Sequence, residues 1–212
     1  PQKASLEILA ELAGTLSLEK GADTEAALAQ VEALYSSVTS FERDFPSLCF
    51  ALATGVGKTR LMSAFITYLH LEKGMNNFFV LAPNLTIYNK LIADFTPNTA
   101  KYVFQGIGEF VHEAPNLITG DNYEQGQHLH GGSLFGGINV NVFNISKINA
   151  EVRGGNKPRI KRLAEYIGQS YFEYLSELPD LTLSMPPELV AETPAAAMPW
   201  LPAKISTCGR SS

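Results

Sequence analysis

The segment ATGVGKT at residues 53–59 constrains the fold of this 212-residue chain more than any other. It lies between an apolar run at residues 47–53 and a stretch of helical patterning that begins at Lys58. Glycines let a backbone bend so closely that its N–H groups converge on anionic oxygens, and a helix N-terminus behind them adds partial positive charge. The order of strand, glycine loop and helix therefore predicts a phosphate-binding loop in an α/β protein.

The residue types in this loop suit a nucleotide triphosphate. The two glycines would supply the bend, Lys58 an ammonium that reaches the outer phosphates, and Thr59 a hydroxyl that can ligate Mg²⁺. The alternative is an ordinary turn in which the lysine occurs by chance. In that case the strand and helix patterns on either side of it would also have to occur by chance. The predicted nucleotide site comprises Thr54, Gly55, Gly57, Lys58, Thr59 and Arg60.

Apolar patterning after the loop predicts the rest of a parallel sheet. A second apolar run at residues 77–83 precedes a helical pattern at residues 85–95. Alternating strands and helices indicate parallel strands joined by crossovers. A further strand is predicted around Val140, since Ile138, Val140 and Val142 alternate with polar residues. The glycine-rich residues 122–137 indicate a loop or a hairpin insertion. Without nearby cysteines or acidic partners, His128 and His130 favour this interpretation over a metal site.

The segments outside this central pattern have a different character. Two helical patterns precede the first strand, and Asp23 is placed to cap the second of them. One helix is predicted over residues 159–178, and an apolar strand over residues 180–185. The proline-rich remainder after residue 185 shows neither the helical nor the strand periodicity of apolar residues. We therefore predict a helical segment at residues 1–45, an incomplete phosphate-loop domain at 46–185, and an irregular or disordered tail at 186–212.

Composition narrows the class of protein. With 45% hydrophobic and 17% charged residues the chain is typical of a soluble globular protein, and no apolar run reaches the roughly 18 residues that span a bilayer. Two cysteines, Cys49 and Cys208, allow at most one disulfide, which fits the reducing cytoplasm. A net charge of -5 argues against nucleic-acid binding by bulk electrostatics but allows a local basic groove. Because the chain starts at Pro1, we expect a piece of a longer product.

The loop and the segments after it resemble a known family. The usual first glycine of a phosphate loop is replaced by Leu52, a form found in superfamily 2 helicases and translocases. The run FALATGVGKTRLMSAFITYLH followed by NFFVLAPNLTIYNKLIADF resembles the Res-subunit family of type III restriction enzymes, which are DEAD/DEAH-box-like ATPases. In this comparison VLAPNLTIYNK stands at the family's motif Ia, and ITGDNYE and NVFNISKIN resemble the later strand ends. The resemblance covers roughly residues 1–185 and implies a partial RecA-like lobe with its parallel sheet flanked by helices.

The resemblance also implies roles for individual residues. Pro83 and Asn84 would lie where a nucleic-acid backbone passes, at the edge on which open α/β sheets place their ligands, and Ser146 and Lys147 would line the same groove. Gln2 would correspond to the glutamine that reads adenine in many of these enzymes; the alternative is an exposed helix N-terminus. A basic cluster could grip phosphates or simply be a solvated helix start, and it comprises Arg153, Lys157, Arg159, Lys161 and Arg162.

One part of the family's active site is missing from the sequence. In the family, the strand corresponding to LPDLTLSM ends in an Asp-Glu pair that serves Mg²⁺ and the attacking water, whereas here Pro186 and Pro187 follow Met185. No catalytic residue is therefore assigned. We expect that a frameshift or a mis-joined segment replaced the true continuation; the competing account is natural divergence into a nucleotide-binding remnant.

The leading interpretation is a fragment of an ATP-dependent DNA helicase or translocase motor, an enzyme in its intact form and inactive as given. It implies ATP and Mg²⁺ as cofactors, double-stranded DNA and a methyltransferase (modification) subunit as partners, no membrane, and the cytoplasm as the location. The alternative is a non-catalytic nucleotide-binding or interaction module. A small-molecule kinase would need an arginine-bearing lid, for which the sequence offers no candidate.

Overall fold

The structure is a computed structural model that describes residues 1–43, 45–125, 137–145, 160, 163–164 and 169–178. The chain divides into two compact units, the first comprising Pro1–Leu61 and the second beginning at Met62. Each is described in its own terms. The predicted residues His128 and His130, the basic cluster from Arg153 onward and the segment after residue 178 lie outside the described residues.

The first unit contains two helices, α1 (Gln2–Thr15) and α2 (Thr24–Leu34), as the sequence predicts. The carboxylate of Asp23 accepts hydrogen bonds from the backbone N–H groups of Glu25 at 2.9 Å and Ala26 at 3.2 Å. It therefore caps α2 by satisfying amides that the helix itself leaves without partners. A cluster of buried side chains joins the two helices to the segment that follows them, and it comprises Leu12, Leu16, Ala27, Val31, Val38 and Phe41.

A polar contact fixes the same helix pair at its surface. The hydroxyl of Tyr35 donates to the carboxylate of Glu11 at 2.6 Å. Burial, together with the hydrogen bond and the negative charge of Glu11, raises the pKa of Tyr35 to about 12. The phenol therefore remains a neutral donor across the physiological range.

The predicted strand at residues 47–53 is not formed, and this expectation was wrong. Only Cys49 makes a single bridge-type pairing, and the segment is half-buried to exposed. A continuous apolar run indicates burial on two faces, but a strand also needs a neighbour that pairs with its N–H and C=O groups. Among the described residues this segment has no ladder of such pairs.

The second unit is built on a parallel sheet. Helix α3 spans Lys58–Lys73, and the boundary between the two units falls within it. The helix ends before Gly74, and the N–H of Gly74 donates to the carbonyl of His70 at 2.9 Å. Then follow strand β1 (Asn77–Ala82), helix α4 (Leu85–Phe95), strand β2 (Asn116–Thr119) and strand β3 (Asn139–Asn144). All pairs are parallel in the order β1-β3-β2. The predicted α/β fold, a partial RecA-like domain with helices flanking a parallel sheet, is confirmed.

Alternation along the strands divides the core of this unit between the two faces of the sheet. Successive strand residues point to opposite faces, so Val80 and Val142 contribute to one buried cluster together with Tyr88 and Leu91 of α4. Phe143 joins a second cluster with Ile118 and the side chains of the last described helix. Burial on both faces explains why β1 reads as an apolar run. β3 alternates in sequence, yet its Asn141 is buried as fully as Val140 and Val142.

The single helix predicted over residues 159–178 was wrong in its first part. The structure has two short antiparallel strands, β4 (Leu163–Ala164) and β5 (Gln169–Ser170), before helix α5 (Tyr171–Glu177). The helix starts at a capping box: Ser170 Oγ accepts from the N–H of Glu173 at 3.2 Å, and the Glu173 carboxylate accepts from the N–H of Ser170 at 3.0 Å. A cap of this kind fixes a helix start, because it satisfies two amides at once.

Candidate phosphate-binding loop

The backbone of the predicted loop has the bend that a phosphate cradle needs. Gly55 has φ +83° and Gly57 has φ +81°. Side chains with a Cβ rarely adopt this left-handed conformation, whereas glycine enters it at little cost. The loop is also open, since Thr54, Gly55 and Gly57 are all exposed.

Lys58 begins helix α3, and its side chain folds back over the loop. The ammonium donates to the carbonyl of Leu52 at 2.6 Å and to that of Ala53 at 2.8 Å. An ammonium carries three donors, so these two bonds hold the charge at the loop and leave capacity for an anionic acceptor. The positive charge therefore lies where a bound phosphate would need it.

The start of α3 adds backbone donors to this charge. The first intrahelical bond runs from the N–H of Leu61 to the carbonyl of Gly57 at 3.0 Å. The amides of residues 58–60 consequently precede the hydrogen-bond ladder of the helix, at the end where the helix dipole favours negative charge. Thr59 is half-buried and Arg60 exposed in this first turn.

Gln2, the first residue of α1, reaches this loop from 54 residues away in sequence. Its amide Nε2 donates to the carbonyl of Val56 at 2.5 Å and to that of Gly57 at 3.2 Å. The side chain is half-buried and is not the solvated helix terminus that one reading of the sequence allowed. Thr54 to Arg60 and Gln2 are thus brought together within the first unit.

The residues predicted to face nucleic acid lie in the second unit. Pro83 and Asn84 directly follow β1 and are exposed. Asn84 also has a structural role, because its side chain accepts from the N–H of Ile87 at 2.9 Å and caps α4. Ser146 and Lys147 lie outside the described residues, so their place in a groove stays a prediction.

A second loop at the same edge of the sheet was not singled out residue by residue from the sequence. The carboxyl ends of β1 and β2 lie at this edge on either side of β3, because all three strands are parallel, and Tyr88 of α4 contacts the loop that follows β2. Its hydroxyl accepts from the N–H of Gly120 at 3.2 Å and donates to Asp121 Oδ2 at 3.4 Å. Asn122 folds back and accepts from the N–H of Thr119 at 2.6 Å. The Gly-Asp-Asn run after an apolar strand was the available signal.

The described part of the chain shows neither a cluster of metal-ligating side chains nor a membrane-spanning helix. It contains no group of three or more His, Cys, Asp or Glu side chains that could hold a metal ion. None of its helices has both the length and the apolar character to cross a membrane.

The fold defines the class of protein: an α/β chain with a parallel sheet flanked by helices, consistent with a partial RecA-like domain. The model of the family "type III restriction enzyme, res subunit" matches residues 24–174. This match covers most of the chain, so the chain belongs to that family. The resemblance seen in the loop and motif Ia segments is confirmed.

A curated relative agrees with the family match. The chain is similar to the probable type III restriction-modification enzyme HindVIP Res subunit of Haemophilus influenzae, with 39% identity over 74 residues. The match covers 31% of this chain and 14% of the relative, so the chain spans a small part of that protein's length. No solved structure matches the chain.

Proposed function

We propose that this chain carries the nucleotide-binding part of an ATP-dependent DNA helicase or translocase motor of a type III restriction system. The observation that carries the proposal is the loop at residues 54–60, with Gly55 and Gly57 in the left-handed conformation and Lys58 at the first position of α3. It occurs in a chain whose family is that of Res subunits. A motor of this kind would act on DNA in the cytoplasm.

The residues of the loop fit a nucleotide triphosphate and its Mg²⁺. Backbone amides at a helix start, two glycines and one ammonium form a donor set for anionic oxygens. Mg²⁺ prefers oxygen ligands, and the hydroxyl of Thr59 is the oxygen that this loop offers. When bound, ATP and Mg²⁺ would supply the free energy of phosphoryl transfer; the loop would bind and orient the phosphates, with Thr54 and Arg60 flanking them.

The carboxyl edge of the sheet is the proposed DNA-facing side. Pro83 and Asn84 are exposed there beside the loop that follows β2, and open α/β sheets bind ligands at this edge. Ser146 and Lys147, which follow β3 in sequence, are proposed to continue the same face. The name of the Haemophilus relative as a restriction-modification enzyme supports double-stranded DNA and a modification (methyltransferase) subunit as partners of the intact protein.

We expect this chain to bind ATP without turning it over. The sequence has Met-Pro-Pro at residues 185–187, where the family has its acidic pair, so these positions offer no carboxylate that could orient an attacking water. The same feature favours a second candidate, a nucleotide-binding module with no catalytic role. The two candidates differ in their need for Mg²⁺, because a motor site uses the metal to bind the outer phosphates.

Calorimetric titration with ATP in the presence of Mg²⁺ or of EDTA tests the proposal. We expect binding that is about tenfold tighter with Mg²⁺, a gain of the size of one charge-assisted contact. Thr59→Val, which keeps the side-chain shape and removes the hydroxyl, should lose that gain, whereas Thr67→Val further along α3 should keep it. Equal affinity with and without Mg²⁺ would favour the non-catalytic module, and absence of binding would refute both candidates.

A further inference from the structure

The amide of Gln2 is bound to the phosphate loop by its nitrogen end. Both of its partners, the carbonyls of Val56 and Gly57, are acceptors, so only the NH₂ group can satisfy them. The same NH₂ group therefore serves both carbonyls. A glutamine that reads the adenine edge instead needs one donor and one acceptor directed at the base, and this arrangement has committed the donors elsewhere.

The side chain of Gln2 closely approaches Gly57. A Cβ at Gly57 would overlap Gln2 Nε2, whereas a Cβ at Gly55 would meet nothing within 4 Å. Both glycines have a positive φ, so the backbone conformation alone does not distinguish them. A Cβ at position 57 would therefore displace the amide of Gln2, which is the mobile end of a flexible side chain, and would break its contact with the loop.

The two hydrogen bonds contact two consecutive peptide groups, of which the second is also held by the N–H of Leu61 in the first bond of α3. In a planar trans peptide the C=O points away from the N–H of the next residue. A donor that holds the carbonyls of Val56 and Gly57 on one side therefore directs the N–H groups of Gly57 and Lys58 to the opposite side. Those two amides belong to the set that a phosphate loop offers to an anion.

Gln2 is the first residue of helix α1, which packs into the core of the first unit. The helix begins at Gln2, and the carbonyl of Pro1 accepts from both the N–H and the hydroxyl of Ser5 at 3.0 Å. Further along α1, Leu12 is fully buried in the core of the first unit. The side chain thus extends from a packed helix and not from a frayed terminus.

We propose that Gln2 is a positioning residue that holds the phosphate loop in its anion-binding conformation through the carbonyls of Val56 and Gly57, and that it contributes to nucleotide affinity independently of the base. This inference rests on the proposed nucleotide binding. It replaces a base-reading role for Gln2 with one that applies equally to every triphosphate.

The test is Gln2→Met, which keeps the length of the side chain and removes its donors, with Gln30→Met on the exposed face of α2 as the matched control. The probes are Mg-ATP, Mg-GTP and Mg-tripolyphosphate. We expect Gln2→Met to weaken all three by the same factor, about tenfold for two lost neutral hydrogen bonds, and Gln30→Met to change none. A loss confined to ATP would overturn the proposal in favour of base reading, and no loss with any probe would overturn it outright.

A second readout needs no ligand. In glycine-labelled protein the amide resonance of Gly57 should move in Gln2→Met and stay in place in Gln30→Met, with the melting temperature unchanged in both. Gly57→Ala should already displace Gln2, so its effect on affinity and that of Gln2→Met should not add, whereas those of Gly55→Ala and Gln2→Met should add. An unmoved Gly57 resonance would overturn the positioning role. If the wild type binds none of the probes, it is the proposed function that fails, while the ligand-free resonance still tests Gln2.

Discussion

Lys58→Ala is expected to weaken binding of Mg-ATP at least about a hundredfold. The substitution removes the ammonium that would contact the phosphates, and charge-assisted hydrogen bonds contribute about 1.5–3 kcal/mol each. It also removes the contacts to the carbonyls of Leu52 and Ala53, which hold the preceding backbone against the loop. Calorimetric titration of the wild type and the variant under the same salt conditions measures the difference.

The matched control for this experiment is Lys73→Ala. Lys73 is an exposed lysine at the last turn of the same helix, so the net charge of the protein changes by the same amount. We expect its affinity for Mg-ATP to stay close to that of the wild type, because long-range attraction between exposed charges is screened at physiological salt. Equal losses in the two variants would mean that the effect is one of overall charge, and unchanged affinity in Lys58→Ala would refute the loop as the nucleotide site.

Asn141→Ala is expected to lower the free energy of unfolding by about 3 kcal/mol. Asn141 is completely buried in the central strand β3. Its amide donates to the carbonyl of Phe78 in β1 at 3.1 Å and accepts from the hydroxyl of Tyr171 in α5. Truncation removes both hydrogen bonds from a buried site, and losing the partner of a buried polar group costs about 1–3 kcal/mol. Urea denaturation followed by circular dichroism measures the change.

Asn139→Ala is the control for this effect. Asn139 lies on the same strand but is half-buried, and its amide exchanges hydrogen bonds with Asn77 and Asn116 at 3.0–3.1 Å. Water can replace its partners in part, so we expect a loss of about 1 kcal/mol. Tyr171→Phe should couple to Asn141→Ala in a double-mutant cycle. Equal destabilisation by the two asparagine variants would contradict a role for Asn141 in joining β1, β3 and α5.

Local patterning was sufficient for some elements and not for others. The predicted start of α3 at Lys58, the strand at β1 and the helix at Leu85–Phe95 agree with the structure, because each pattern is complete within the element itself. The strand predicted at residues 47–53 is not formed, because a strand needs a pairing partner that a local apolar run does not reveal. The helix over residues 159–178 failed because its pattern hid the restart at Ser170, whose spacing to Glu173 is a capping-box signal.

The candidate site shows the same limit. The glycine-rich motif predicted a bent loop, and Gly55 and Gly57 have the left-handed conformation that such a bend requires. The partners of Gln2 could not be read from the sequence, because a contact over 54 residues depends on how α1 packs. Asn84 was predicted to face nucleic acid because it follows a strand, and in the structure it is also the N-cap of α4. It therefore stabilises the fold whatever else it contacts.

The most direct test of the phosphate loop is to observe its glycines while a nucleotide is added. In protein labelled with ¹⁵N at glycine, the resonances of Gly55 and Gly57 can be assigned through their alanine variants and followed during titration with Mg-ATP. We expect both to shift strongly and to saturate together, while Gly74, which follows the C-terminal end of α3, and Gly106, which lies in a turn, stay in place. Saturable binding that shifts other glycines and leaves Gly55 and Gly57 unmoved would contradict a nucleotide site at residues 54–60.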